Sequence, residues 1–107
     1  MGKTVAFMGI DLGTTGVRVV VSDENGQVLS TGTAGIEKSI VRSRDPMRSE
    51  QDPRFWKEPL FDALKQALTN SSYEVRALTV DSTSGTIIPV DRECRPLGNA
   101  LLHNDVR

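Results

Sequence analysis

The most constraining stretch of this chain is DLGTTG, Asp11 to Gly16, set between two apolar runs. Phe7, Met8 and Ile10 read as a short buried strand, and Val17 with Val19 to Val21 as a second. So short a link can hold only a reversal, so the pair is a hairpin with its polar residues at the tip. Gly13 and Gly16 can take positive φ without steric cost and leave the backbone bare for a ligand. Successive N–H groups in such a turn form a concave anion site, to which Thr14 and Thr15 add hydroxyls. Asp11, closing the first strand, is placed to hold a divalent cation of the kind that accompanies phosphate. Glycines alone would make a plain hairpin. The acid before them, the hydroxyls among them and Arg18 on the returning strand are more than a turn requires.

The remainder of the chain builds outward from this hairpin. Asp23-Glu24-Asn25-Gly26 signals a second tight turn, with Asn-Gly supplying positive φ, and Gln27 to about Thr33 returns as a third strand. This completes an antiparallel meander. From Ala34 to Glu50 the periodicity fades into a surface excursion, with extended pieces at Ile36 and at Ile40 to Val41. Asp52 can cap a helix and Pro53 suits its first position. Trp56, Leu60, Leu64, Ala67 and Leu68 recur at helical spacing, and Phe61 widens that stripe, so one face packs on the sheet. Pro59 lies far enough inside to kink or restart the helix, which leaves Leu60 to about Asn70 as its firmest part. Val75 to Val80 is β-rich and follows a helix, so it pairs in parallel with the first strand. Ligands of open α/β sheets bind beyond the carboxyl ends of parallel strands. The tip at Asp11 and the stretch Asp81-Ser82-Thr83-Ser84-Gly85 should therefore lie side by side. Thr86 to Val90 continues as an edge strand, demoted by Pro89; Asp91 to Pro96 is a polar turn, and Gly98 to Leu102 is a last extended piece before His103-Asn104-Asp105-Val106-Arg107. Short donors and acceptors on a close backbone, as in DSTSGT, suit a ligand with many hydroxyls, such as a sugar.

The segment GIDLGTTGVRVVVSDENGQVL resembles the opening phosphate motif of the FGGY carbohydrate kinases, within the superfamily of actin, hexokinase and the heat-shock chaperones. The resemblance implies an α/β, ribonuclease H-like lobe of the actin and hexokinase ATPase type: a three-stranded antiparallel meander followed by a helix and a parallel strand. It also implies ATP and Mg2+ as cofactors. Asp11 would be the metal-side carboxylate, Gly13, Thr14 and Thr15 the phosphate contacts, and Arg18 a nearby positive charge. SEQDPRFW, Ser49 to Trp56, is similar to the family's EQDP stretch leading into an aromatic helix. VDSTSGTIIPVDRECRPLGNALLHNDVR resembles the family segment that ends in a sugar-pocket motif of the form LWNDxR. Ser82, Thr83, Ser84, His103, Asn104 and Asp105 would then contact the substrate, with His103 in place of the usual tryptophan. Ser82 to Ser84 replace the Gln-Met-His of xylulose kinases, which points toward ribulokinase-like branches. The proton-accepting aspartate and adenine pocket of the family come from later segments, so no catalytic base is expected here. Residues 1–107 would be the N-terminal portion of the first domain of a longer chain, inactive by itself, whose full-length form phosphorylates a ketopentose such as ribulose or xylulose, or a related sugar or polyol. That full-length form could pair as a homodimer. A non-catalytic phosphate- or nucleotide-binding module and an ATPase lobe of the actin or chaperone type are the other readings.

Size and charge bound the rest. A length of 107 residues suits one domain with a modest core, small for a transferase that closes around two substrates. With 13 basic and 14 acidic residues the net charge is −1, which leaves no general field for nucleic acid or an anionic membrane. Arg42, Arg44 and Arg48 form a loose cluster without interleaved aromatic residues and read as a solvated loop. The single Cys94 cannot form an internal disulfide, which fits a reducing cytoplasm. The apolar run from Val5 to Ile10 is too short for a signal core or a membrane span. Neither Cys94 nor the single His103 belongs to a metal-ligand spacing.

Overall fold

A computed structural model describes residues 2–70 and 72–107. Strands β1 (Thr4–Leu12), β2 (Gly16–Ser22) and β3 (Val28–Gly35) form the expected meander, and β6 (Tyr73–Ser82) joins β1 on its other side, giving the order β3-β2-β1-β6. β1 and β6 run parallel, as a strand, helix, strand crossover requires. Between β3 and β6 lie β4 (Ile40–Val41), β5 (Glu50–Gln51) and helix α1 (Lys57–Ala67). β5 is the centre of a small antiparallel sheet with β4 on one side and β7 (Ala100–Leu101) on the other.

Strand alternation decides which face is core. Ala6, Met8 and Ile10 on β1 and Val17, Val19 and Val21 on β2 are buried on one face, where Ala63 and Ala67 of α1 complete the cluster with Ile36. Gly32 of β3 lets the helix come close, because a Cβ there would collide with the Ala63 carbonyl. Ser30 Oγ then donates to the Ala67 carbonyl at 2.5 Å. The Gln66 side chain pairs with the edge of β3 as a strand would, accepting from Thr33 N at 3.0 Å and donating to Thr33 O at 2.9 Å.

Five expectations need correction. Asp52 and Pro53 do start a helical segment, but it is a 3-10 turn, Pro53–Phe55, and α1 begins afresh at Lys57. Pro59 therefore sits in the first turn of α1, where its missing N–H has no partner to lose, and the helix runs on without a break there. Phe61 is 53% exposed, so it does not widen the buried stripe; that role falls to Ala63. Thr86 to Val90 forms no strand. Ile87 and Val90 each make an isolated bridge, to Leu101 and Pro96, because Pro89 between them has no N–H for a ladder. In the Asp23 turn only Gly26 takes a positive φ, of 81°, and Asn25 does not, so the turn closes with a bulge that shifts the β2/β3 register at Ser22.

The last segment is not frayed. Leu102 N donates to Ser49 O at 3.0 Å and Val106 N to Met47 O at 2.9 Å, which lays it along residues 47–49. Arg42, Arg44 and Arg48 are exposed as expected. Among the described residues, no helix is long and apolar enough to cross a membrane.

Candidate functional site

The turn between β1 and β2 closes with a hydrogen bond from Gly13 N to Gly16 O, 2.9 Å. Neither of its glycines takes a positive φ, and only Gly16 is required by space. Among the described residues only Gly26 and Gly85 are glycines of positive φ. A Cβ at Gly16 would lie 2.7 Å from the Ala34 carbonyl oxygen, closer than packed atoms allow, whereas one at Gly13 would come no nearer than 3.4 Å to anything. Gly16 and Gly35 pair in register, so two side-chain-free positions adjoin on neighbouring strands. They floor an open cleft of about 490 Å³ that Asp11, Thr15, Arg18 and Thr33 also line.

The same register aligns a polar row across the sheet. Asp81 of β6 pairs with Asp11, Asp11 with Arg18, and Arg18 with Thr33. Paired residues share a face, and alternation puts this row opposite the core, so Asp11 and Arg18 are exposed where Ile10 and Val17 are buried. A bare floor beside a cation and a carboxylate can receive a phosphate together with its metal. Among the described residues, no group of three potential ligands forms a metal cage. The donor set of one or two carboxylates at a strand end still suits Mg2+, which keeps most of its waters and is held by few protein oxygens plus phosphate. Asp11 would hold it, with Asp81 on the neighbouring strand.

Thr14 and Thr15, read alike from the sequence, are placed differently. Thr15 lines the open cleft, but the Thr14 hydroxyl lies 3.0 Å from that of Thr83. The Thr14 carbonyl accepts from Gln51 Nε2 at 2.9 Å, and Gln51 Oε1 accepts from Trp56 Nε1 at 3.0 Å. This chain of contacts borders a second cavity of about 220 Å³, lined by Leu12, Thr14, Gln51, Trp56, Thr83 and Thr86 among others. The Thr86 hydroxyl is buried there without a partner. Gln51, 3% exposed, is the residue that sequence reasoning missed. SEQDPRFW was singled out only for its likeness to a family stretch, and nothing in its pattern distinguishes a buried amide from a solvated one.

The two later clusters converge on the same end of the sheet. Leu12 pairs with Ser82, so the tip and the DSTSGT turn adjoin as the parallel pairing demands. Gly85 takes φ 80° against His103, whose Cβ would lie 3.0 Å from a Cβ at Gly85. The sequence therefore brings His103 onto the DSTSGT turn. Ser82, Ser84, His103 and Asn104 are exposed, and Thr83 is half-buried.

Asp105 is placed otherwise. Its carboxylate accepts from Arg107 Nε and Nη2 at 3.0 and 2.9 Å and from Ser49 N at 2.9 Å, with its side chain only 5% exposed. The Arg107 guanidinium first, and the Ser49 N–H after it, hold its carboxyl down to about 2. Arg107 also reaches Glu50 at 3.4 Å. Asp105 thus ties the last segment to Ser49, just before β5, and its oxygens are largely occupied.

The sequence profile described as the FGGY family of carbohydrate kinases, N-terminal domain, matches residues 6–107. The chain is 38% identical over 103 residues to a xylulose kinase of Escherichia coli K12, and 33% identical over 102 residues to one of Klebsiella pneumoniae. Each match covers 94% of this chain and 20% of the relative, so the chain spans a fifth of the length of the curated relatives it matches. Among solved structures, a xyloylose kinase from Brucella ovis superposes with a TM-score of 0.82 at 27% identity, over 95% of this chain and 22% of that one. Glycerol kinase from Plasmodium falciparum, at 21% identity, shares the fold with a TM-score of 0.83 over 100% of this chain and 22% of its own. A lobe of the actin and hexokinase type, with its glycine-floored turn and adjoining hydroxyl-rich strand end, is thus matched along nearly its whole length, and the chain belongs to the FGGY family of carbohydrate kinases.

Proposed function

We propose that this chain is the opening part of a longer cytoplasmic kinase that transfers a phosphoryl group from ATP to a hydroxyl of a sugar or polyol, a ketopentose such as xylulose or ribulose being the first candidate. The observation that carries this reading is the contact of Thr14 with Thr83, which joins an anion-receiving turn to a hydroxyl-rich strand end at one tip. Two substrates that must exchange a phosphoryl group need such adjoining subsites.

Phosphoryl transfer is catalysed mainly by positioning and by neutralising charge. Asp11 orients the metal side, the bare backbone from Gly13 to Gly16 with Thr15 receives phosphate oxygens, and Arg18 adds positive charge beside them. Magnesium, when bound, offsets charge on the phosphates. Ser82, Ser84, His103 and Asn104 offer exposed donors and acceptors to sugar hydroxyls, while Thr83 and Asp105 hold that surface in place. Asp105 is poorly suited to accept the hydroxyl proton, since a carboxyl held at about 2 is a weak base. The base comes from the rest of the kinase. The xylulose kinase relatives support the ketopentose class, and DSTSGT keeps ribulose beside xylulose as a substrate.

The test is ADP release from Mg·ATP by the full-length gene product, against ketopentoses, other sugars, glycerol and related polyols. Release that depends on one class and collapses in Asp11→Ala is the expected result. Sugar-independent release would instead mark an ATPase, and nucleotide binding without release a non-catalytic module.

A further inference from the structure

We propose that Gln51 is a positioning residue that aims the phosphate turn and ties it to the end of β6. The inference rests on the phosphate reading of the tip and goes beyond it to the group that sets its geometry. Gln51 is buried, and its one planar amide supplies both a donor, to the Thr14 carbonyl, and an acceptor, for the Trp56 indole N–H. An aliphatic side chain in its place would leave both partners without it, and a carboxylate would meet the carbonyl with a second acceptor.

The consequence for the turn follows from peptide geometry. The Thr14 carbonyl and the Thr15 N–H belong to one planar peptide group, and no described peptide bond is cis. In a trans peptide the C=O and N–H point in opposite directions. Holding the carbonyl toward Gln51, on the side of the cavity that both line, therefore turns the Thr15 N–H away from it and toward the open cleft that Thr15 and Asp11 line. The same residue's hydroxyl meets Thr83. Trp56, Gln51, Thr14 and Thr83 form one relay between the start of α1, the phosphate turn and the sugar-facing strand end. A change at any link moves the next. Trp56, the only tryptophan of the chain, reports on it.

The test uses the 15N-labelled full-length gene product with two variants. Gln51→Glu keeps an acceptor for Trp56 and loses the donor to Thr14; Gln51→Met loses both. In each, the Thr15 and Thr83 amide resonances should move while that of Gln27, in a distant turn, stays, and Mg·ATP should bind about tenfold more weakly. The Trp56 indole resonance should move in Gln51→Met far more than in Gln51→Glu. In the unsubstituted full-length protein, Mg·ATP should shift the Trp56 indole and Thr15 amide resonances with one common midpoint. An unmoved Thr15 amide in a folded variant, or an indole that stays fixed while Thr15 titrates, would overturn the proposal without need of a second variant. Failure of the unsubstituted full-length protein to bind Mg·ATP would instead overturn the phosphate reading, and the Thr15 amide in Gln51→Glu would still decide the positioning role.

Discussion

The hydroxyls of Thr14 and Thr83 lie 3.0 Å apart, just beyond the point where β1 and β6 cease to pair at Leu12 and Ser82. The parallel ladder ends there, so this side-chain contact takes over from the backbone in holding the two tips together. Thr14→Val and Thr83→Val each keep the β-branched shape and remove a hydroxyl. Each should lower stability by about 1 kcal/mol, the usual net worth of one such bond. The double variant should cost little more than either alone, because both remove the same interaction. Urea midpoints of the two singles and the double check this, and additive losses would show that the hydroxyls act separately.

Gly13 and Gly16 should respond in opposite ways to one added methyl group. At Gly16 the new Cβ would stand 2.7 Å from a backbone carbonyl of β3, which cannot step aside as a side chain could. Gly16→Ala should therefore cost about 2 kcal/mol of stability, in the range of overpacked interiors. At Gly13 the nearest atom is at 3.4 Å, an ordinary contact, so Gly13→Ala should fold almost as well as the parent. It should nonetheless weaken Mg·ATP binding, since the methyl group enters the space above the turn. Thermal midpoints and nucleotide titrations on the two variants separate the effects.

This contrast marks how far the sequence was legible. The two apolar runs identified Met8, Ile10, Val17, Val19 and Val21 as core but also counted Phe7, which alternation leaves 39% exposed on the other face, and the helix before Val75 fixed β6 as parallel to β1. Those two facts place Asp11 beside Asp81 and the tip beside DSTSGT, because register follows from pairing. What the sequence did not show were relations that depend on space or on a partner distant in the chain. The glycines of the turn are read as conformational from their type, yet Gly16 answers to a carbonyl on β3. Gln51 resembles any polar residue until Trp56 and Thr14 close around it. Asp105, read as a substrate contact through the family likeness, is held by Arg107 and by Ser49, 56 residues earlier.

Asp105 gives a prediction in pH. Its ordinary value is 3.8 and its folded value about 2, so the folded chain binds this proton less readily than the unfolded one. The stability it contributes is complete above 3.8 and is lost as the pH falls through about 2. Asp52, held low chiefly by the Arg54 side chain, and Asp91, held low chiefly by the Arg95 N–H, act in the same direction, so acid weakens the parent chain at several points. Asp105→Asn removes one of them. Its urea midpoint should lie below the parent's at neutral pH, and the two should converge toward about pH 2. A constant gap across that range would show that the carboxylate charge is not what Arg107 and Ser49 hold.

Cys94 occupies the place of a glycine. The turn from Asp91 to Arg95 repeats the turn from Asp23 to Gln27 bond for bond. In each, the aspartate N–H donates to the carbonyl four residues on, its carbonyl accepts from the residue three on, and one carboxylate oxygen accepts from the amides two and four residues on. The position that takes positive φ is Gly26 in one and Cys94 in the other, at 81° and 61°. A side chain in that conformation crowds its own carbonyl at a cost of about 1–2 kcal/mol, part of which glycine returns through the greater freedom of the unfolded chain. Cys94→Gly should accordingly raise stability by about 0.5–1 kcal/mol. Cys94→Ala, which removes the thiol and keeps the Cβ, should leave it nearly unchanged. If both raised the urea midpoint equally, the thiol and not the backbone would be the source of the strain.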